Sequence, residues 1–152
     1  MQEINKRVPT IDEVIIKKDQ VVSGTVSVPV AAEGVVAGLV FGTVLTSTDG
    51  GVNWTSQEKP LWIAGAFNAD AEVFHNGHTW KSLEDANSNE PITDDPKWQD
   101  LGAFDANGVL GENITETSKV SVVITGTVRE KHLVNYDDSM RTSLFRNKII
   151  LK

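Results

Sequence analysis

A short segment rich in tryptophan separates two stretches of different composition. Residues 61–101 contain three of the four tryptophans of the chain, and Trp54 lies just upstream. The flanking sequence is instead dominated by valine, isoleucine, threonine and glycine. A chain of 152 residues is long enough for one ordinary domain or two very small ones. The sequence therefore predicts a host domain, residues 21–53 and 104–152, that is interrupted by an insert over residues 54–103.

Composition and charge exclude several classes of protein. The net charge is −7, and residues 54–104 hold nine acids and three bases, a balance of −6. Nucleic-acid binding needs clustered Lys and Arg, so an acidic chain without a basic stripe argues against it. The chain lacks cysteine, and no apolar run approaches the ~20 residues that span a bilayer. The N-terminal sequence is too charged for a cleaved signal, so we expect a soluble protein without a membrane partner.

The host sequence shows the alternation that is typical of β-strands. Residues 21–45 alternate valine with threonine or serine, and Glu33-Gly34 predicts a turn between two strands. The run Asp49-Gly50-Gly51 is a hairpin signal. Residues 119–130 carry the clearest strand pattern in the chain. Glycines inside these apolar runs, such as Gly126, indicate bulges or a close approach of two backbones.

The end of the host predicts a short helix followed by a strand. Asn135 or Asp137 is suited to cap the helix, and later arginines favour its dipole. Four apolar side chains are predicted to face the core: Leu133, Met140, Leu144 and Phe145. Residues 148–152 predict the final strand. The predicted fold class is mainly β with one short C-terminal helix and a small all-β insert.

The N-terminal residues 1–20 have two interpretations. They mix charged residues with scattered apolar ones, and only Val14, Ile15 and Ile16 form an apolar cluster. Such a segment is typical of an arm that becomes ordered when it binds a partner. The alternative is a short edge strand over residues 13–17. The residues alone leave both interpretations open.

No catalytic or metal-binding arrangement is recognisable in the sequence. His75 and His78 are close together, but no third ligand of matching context accompanies them, and Asn76-Gly77 between them is typical of a turn. There is no cysteine nucleophile, no G-x-S-x-G elbow and no phosphate-binding glycine loop. The adjacent acids Glu84-Asp85 and Asp94-Asp95 are typical of solvated loops. We therefore predict that the chain is not an enzyme and holds neither a metal nor a cofactor.

The insert resembles the chitin-binding type 3 carbohydrate-binding module. The matching positions run in order through Trp62, Gly65, Phe67, Val73, Gly77, Trp80, Glu90-Pro91 and Trp98. The resemblance implies a small β fold and an aromatic surface for sugar rings, with Trp54, Trp62, Trp80, Glu90 and Trp98 as candidate glycan-binding residues. The aromatic residues that the family often has before the Glu-Pro pair and after the central aromatic are replaced by Asn89 and by residues 81–84. Asp70-Ala71 also departs from the family's Gly-Asp pair.

The host resembles the head decoration proteins of lambda-type bacteriophages. The resemblance lies in the apolar, glycine-containing residues 35–45, in residues 106–114 (ANGVLGENI), and in the succession of strand, short helix and final strand over residues 120–151. It implies a β-tulip-like domain that assembles as a homotrimer on the outer surface of the expanded capsid. The expected location is therefore the virion, after synthesis in the cytoplasm of the host bacterium.

The resemblance also implies partners and the residues that meet them. An N-terminal arm that binds the major capsid protein would use Val8, Pro9, Val14, Ile15 and Ile16. The insert would project outward, where a bacterial surface glycan is a candidate ligand. Two alternatives remain open at this point. The first alternative to capsid decoration is a carbohydrate-binding accessory module of a phage tail or bacterial surface protein, and the second is an unrelated β domain.

Overall fold

The computed structural model describes residues 11–29 and 38–152, and the fold is mainly β. Within these residues no helix is both long and apolar enough to cross a membrane. The strands are β1 Ile15–Val26, β2 Val44–Thr46, β3 Asn53–Ser56, β4 Glu72–His75, β5 His78–Ser82, β6 Trp98–Ala103, β7 Gly108–Leu110, β8 Ser118–Val128 and β9 Ile149–Leu151. The α-helices are α1 Ile11–Val14 and α2 Arg141–Arg146, and 3-10 helices span Glu130–His132 and Asp138–Met140.

Five strands pair in a closed ring. β1 lies antiparallel to β8 and parallel to β3, while β2 lies antiparallel to both β3 and β7, and β7 pairs with β8. β9 adds to β8 in parallel beside the ring. β2 and β3 form the hairpin that Asp49-Gly50-Gly51 predicts. β8 pairs with β1 on one side and with β7 and β9 on the other, so it pairs with more strands than any other described strand.

Two clusters of buried apolar side chains pack on opposite faces of the ring strands. One cluster is formed by Val26, Leu39, Leu45, Trp54, Leu110, Ile114 and Val122. The other is formed by Val14, Ile15, Val44, Phe74, Ala106, Val109, Val123, Val128, Met140, Leu144 and Ile149. Neighbouring residues of β8, Val122 and Val123, belong to different clusters, as expected of a strand that is buried on both faces.

Glycines allow the indole of Trp54 to fit inside the ring. A Cβ atom on Gly24 would lie 2.4 Å from Nε1 of Trp54, and one on Gly108 would lie 2.4 Å from the far edge of the same indole. Real Cβ atoms do not come so close, so only glycine fits at either position. The close approach of two backbones that was predicted at Gly126 is also confirmed, because a Cβ atom there would overlap the backbone oxygen of Lys17.

The small sheet has the order β4-β5-β6 and two distinct faces. Val73 on β4 packs with Trp80 and Trp98 in a third cluster. Its neighbour Phe74 points the other way and is buried in the larger cluster of the ring, where it meets Phe104 edge-on at 6.3 Å between ring centroids. Successive side chains of a strand alternate between faces, so one strand contributes to both cores.

Two predicted boundaries need correction. Residues 15–20, assigned to an arm, are the first half of the twelve-residue strand β1 and pair with β8. Val14 and Ile15 are buried in the ring cluster and hold the start of this strand in place. The edge-strand interpretation is right for residues 15–17, although Glu13 and Val14 belong to α1. The insert begins later than residue 54, because β3 and its Trp54 are part of the ring.

The C-terminal predictions are largely confirmed. Asp137 accepts a hydrogen bond from the backbone N–H of Ser139 at 3.1 Å and thereby caps the 3-10 turn before α2. Met140 and Leu144 are buried. Phe145 is 68% exposed, so its predicted core position is wrong. Leu144 takes the inward position of this short helix, and the next residue lies about 100° further around the axis.

Candidate functional site

The tryptophans predicted to bind glycans build the core of the small sheet. Trp80 and Trp98 are both buried. Nε1 of Trp80 donates to the backbone oxygen of His75 at 3.1 Å, and Nε1 of Trp98 donates to that of Asn89 at 2.9 Å. Phe67 packs edge-on against Trp98, with 5.7 Å between ring centroids. A buried indole that is also hydrogen-bonded offers no flat face for a sugar ring.

Trp54 is equally inaccessible, in a different part of the molecule. It is 2% exposed inside the ring, and its Nε1 donates to the backbone oxygen of Gly51 at 3.0 Å. The structure therefore does not bring Trp54 together with the tryptophans of the small sheet. Its burial argues against Trp54 as a glycan-binding residue.

Trp62 and Glu90 meet at His75. The rings of Trp62 and His75 lie 5.0 Å apart and are tilted by 59°. Nε2 of His75 lies 2.8 Å from a carboxylate oxygen of Glu90. Trp62 is half-buried, and its Nε1 is enclosed without a hydrogen-bond partner among the described residues. Of the candidate glycan-binding residues, only this pair comes together near the surface.

The two histidines of the predicted turn bind separate carboxylates. His75 and His78 face each other across β4 and β5, where His75 contacts Glu90 and Nδ1 of His78 lies 3.0 Å from Asp100. Burial tends to raise the pKa of Asp100, but hydrogen bonds from His78 and from the backbone N–H of Gly102 outweigh it and lower that pKa. Among residues 11–29 and 38–152 no group of three potential metal ligands is found.

A buried amide that the sequence does not mark organises the small sheet. Asn87 is completely buried, and its Nδ2 donates to Ser82 Oγ at 3.1 Å and to the backbone oxygen of Lys97 at 3.0 Å. Its Oδ1 accepts from the backbone N–H of Asn89 at 3.2 Å. No spacing or neighbouring motif distinguishes Asn87 from the exposed asparagines around it.

Clefts lie where the small sheet meets the ring. One cleft of about 360 Å³ is lined by Pro29, Gln57, Glu58, Lys59, Leu61, Asn135, Tyr136 and Asp137. Burial and a hydrogen bond to Glu130 raise the pKa of Tyr136 to about 12, so its hydroxyl stays protonated as a donor. A second cleft of about 380 Å³ lies between the turn at Asn76 and α2, next to His78 and Arg146.

The predicted capsid-binding residues lie in three different environments. Val8 and Pro9 lie outside the described residues. Val14 and Ile15 are buried, so they anchor the chain instead of meeting a partner. Ile16 is 43% exposed and begins a stretch of β1 in which residues 16–21 are all exposed. The outer half of β1, residues 15–21, is therefore the part of the prediction that offers a surface.

The outer half of β1 is an edge with a partner strand on one side only. Residues 15–21 pair with β8, whereas β3 pairs with β1 only at Thr25 and Val26. The register between β1 and β8 shifts three times over this half. Such irregularities are typical of sheet edges. The comparison with protein-family models, with curated proteins and with solved structures finds no match for this chain.

Proposed function

We propose that the chain is a decoration protein of a lambda-type bacteriophage capsid. It binds the major capsid protein on the outside of the expanded head, acts there as a trimer, and stabilises the shell. The observation that carries this proposal is the outer half of β1. A strand of this length that is exposed on both faces buries little of its own surface, so a partner that covers it would stabilise it.

The chemistry of this half suits strand addition. Its backbone groups on the free edge are available for main-chain hydrogen bonds, which need no close match between side chains. Ile16 and Val21 are exposed and supply apolar contacts. Lys17 and Lys18 between them are typical of an edge that is protected from non-specific pairing until its partner arrives.

The architecture also supports the proposal. Ring strands, short helix α2 and final strand β9 follow each other in the order that the resemblance of residues 106–151 implies. The acidic small sheet would keep a densely covered shell soluble. Many copies on one particle would multiply a modest affinity at each contact.

Sedimentation with phage heads tests the proposal. Purified protein would be mixed with expanded heads of lambda-type phages that lack their decoration protein, and the pellet assayed for bound protein. We expect saturable binding at micromolar protein, and heads that then withstand heating or chelator better. No saturable binding to such heads would contradict the proposal.

Matched variants test the role of β1. Ile16→Thr and Val21→Thr keep a β-branched side chain, so the strand is retained while exposed apolar surface is lost. We expect each to weaken binding to heads by about tenfold, which corresponds to about 1.4 kcal/mol. Val52→Thr, at an exposed valine of the β2–β3 loop, is the control and should bind as the parent does. Equal weakening by all three would show that β1 is not the contact.

Glycan binding by the small sheet stays a prediction. Three of the candidate glycan-binding residues, Trp54 in the ring and Trp80 and Trp98 in the small sheet, are buried. Trp62 and Glu90, which meet at His75, are the candidates that remain near the surface. A glycan array on the intact chain is the direct measurement, with Trp62→Ala as the variant that should abolish any binding seen.

A further inference from the structure

A groove runs between α2 and the free edge of β9. It has a volume of about 390 Å³ and is lined by Arg141, Thr142 and Phe145 of α2 and by all three residues of β9. β9 pairs with β8 on one side, and within the described residues no strand pairs with its other side. The floor of the groove is therefore a strand edge, and one wall is a helix.

The backbone of β9 is directed so that this edge can accept another strand. The backbone oxygen of Lys148 accepts from Gly126 at 3.1 Å, and the backbone N–H of Lys152 donates to Val128 at 2.9 Å. Every second residue from Lys148 to Lys152 thus makes backbone hydrogen bonds to β8 or to the residues that adjoin it. In a parallel pair the intervening residues direct their peptide groups away. Those of Ile149 and Leu151 consequently face the groove.

Side chains around the groove are apolar and basic. Phe145 and Ile150 are both exposed large apolar residues. Arg146, Lys148 and Lys152 are exposed as well, and none of these three cations forms an ion pair within the described part of the chain. Around the groove lies a local excess of positive charge in a chain whose net charge is −7.

The carboxylate of Glu130 does not neutralise these cations. Glu130, which lies next to the groove, is engaged by the hydroxyl of Tyr136 and by Arg141. Those two hydrogen bonds lower the pKa of Glu130, so it remains ionised and occupied. Residues 1–10 contain two bases, Lys6 and Arg7, and one acid, Glu3. Their net charge is therefore positive, like that of the groove, and does not complement it.

We propose that this groove binds an extended peptide in which acidic and apolar residues alternate, and that the peptide adds to β9 as a further strand. Main-chain hydrogen bonds to the edge at Ile149 and Leu151 would supply part of the affinity. Apolar side chains of the peptide pack on Phe145 and Leu151, on the face of β9 that α2 covers, and its carboxylates, on the opposite face, meet Lys148 and Lys152. The proposal does not depend on capsid decoration, because the groove and its charges are independent of β1.

Fluorescence anisotropy with a defined probe tests the proposal. The probe is a labelled, end-blocked nonapeptide of alternating Val and Glu, and the comparison peptide alternates Val and Lys. We expect saturable binding of the Glu peptide that weakens as salt is raised, because exposed charges are screened. The Lys peptide should not bind. Equal binding of both peptides, or binding of neither, would overturn the proposal.

Variants locate the binding in the groove. Phe145→Ser removes exposed apolar surface and should weaken binding of the Glu peptide about tenfold, a loss of about 1.4 kcal/mol. Its control is Ile63→Ser, at an aliphatic side chain of the insert that is 72% exposed. Lys152→Glu should also weaken binding, whereas Lys119→Glu, at the opposite end of β8, should not. Controls that weaken binding equally would place the peptide elsewhere.

Two further probes separate strand addition from simple charge attraction. A Glu peptide that is N-methylated at alternate residues cannot donate main-chain hydrogen bonds on one edge, so it should bind at least about tenfold more weakly. A single-stranded DNA oligonucleotide should not displace the Glu peptide. Unchanged affinity after methylation, or displacement by DNA at equal charge, would show a general polyanion surface instead.

Discussion

The five-stranded ring and the small sheet both enclose tryptophan, but with different partners. In the ring, aliphatic side chains and two glycines surround Trp54. In the small sheet, Trp80 and Trp98 are held by hydrogen bonds to backbone oxygens, and together with Val73 they are the three buried residues of the core. A region of about forty residues is too short for an aliphatic core. The difference shows how large aromatics and a polar network replace it.

The two regions are joined through Phe74. It lies on the small sheet but is buried with Met140 and Leu144 in the ring's larger cluster. The backbone N–H of Phe104 also donates to Gly77 at 2.8 Å, which fixes the return to the ring. The two regions should therefore unfold together, although their cores are separate.

Phe74→Ala is expected to have the largest effect on this coupling. Truncating a buried phenylalanine costs about 3–5 kcal/mol because of lost transfer energy and the remaining cavity. The loss should appear in urea unfolding of the whole chain, followed by the fluorescence of the four tryptophans. Val73→Ala, one residue away on the opposite face, is the matched variant and should mainly loosen the small sheet. If Phe74→Ala leaves the ring's transition unchanged, the regions are independent.

Gly108→Ala tests the packing of Trp54 in the ring. The added Cβ would also come within 2.8 Å of Val122. Overpacking of a core typically costs about 1–3 kcal/mol, and both neighbours here are confined by the ring. We expect a lower midpoint in urea unfolding together with a shifted Trp emission. Gly65→Ala has no heavy atom closer than 3.9 Å outside its chain neighbours and should leave stability nearly unchanged. Equal effects of both would contradict this packing.

The features that repeat along the chain were predictable from the sequence. Alternation of valine with polar residues identifies β8, and Asp49-Gly50-Gly51 identifies the β2–β3 hairpin. Asp137 and the pattern of Met140 and Leu144 identify the capped turn and α2. Each of these signals is local, because residues close in sequence form the structure.

Contacts between distant residues were not predictable. The sequence of residues 15–20 does not indicate that β1 continues through them, because apolar and polar residues do not alternate there and both faces are exposed. The resemblance of the insert to a carbohydrate-binding module implied an exposed aromatic surface, yet burial depends on what the opposite strand supplies. Asn87 illustrates the same limit, since its partners Ser82 and Lys97 are brought to it only by the folded sheet.

Asn87→Ala sharpens the view that the small sheet relies on polar contacts. The substitution leaves Ser82 Oγ and the backbone oxygen of Lys97 without their donor in a buried site. An unsatisfied buried group costs about 1–3 kcal/mol. Hydrogen exchange should speed up in β5 and β6 while β8 stays protected. Asn68→Ala, an exposed asparagine nearby, should change neither. Faster exchange in β8 after Asn87→Ala would show that the network also supports the ring.

The smallest expected effect concerns the β2–β3 hairpin of the ring, where the carboxylate of Asp49 makes the polar contacts. Asp49 accepts hydrogen bonds from Ser47 Oγ, from the backbone N–H groups of Val52 and Asn53, and from Asn53 Nδ2. The bonds from Asn53 and Ser47 lower the pKa of Asp49 to about 2. A carboxylate whose pKa is lowered in the folded state stabilises it above the unfolded value, and this contribution disappears as pH falls through the folded value.

The Tm of Asp49→Asn should therefore differ from that of the parent in a pH-dependent way. Above pH ~4 the parent is more stable, because only the ionised carboxylate is favoured by these donors. Between pH ~4 and pH ~2 the difference should shrink towards the residual effect of shape. The Asn53→Ala background removes the side-chain hydrogen bond from Asn53 to Asp49 and keeps the backbone one. The difference in Tm caused by Asp49→Asn should then be smaller, and it should vanish at a higher pH. A difference that is the same at pH 6 and pH 2 would mean that the loop requires the shape of Asp49 and not its charge.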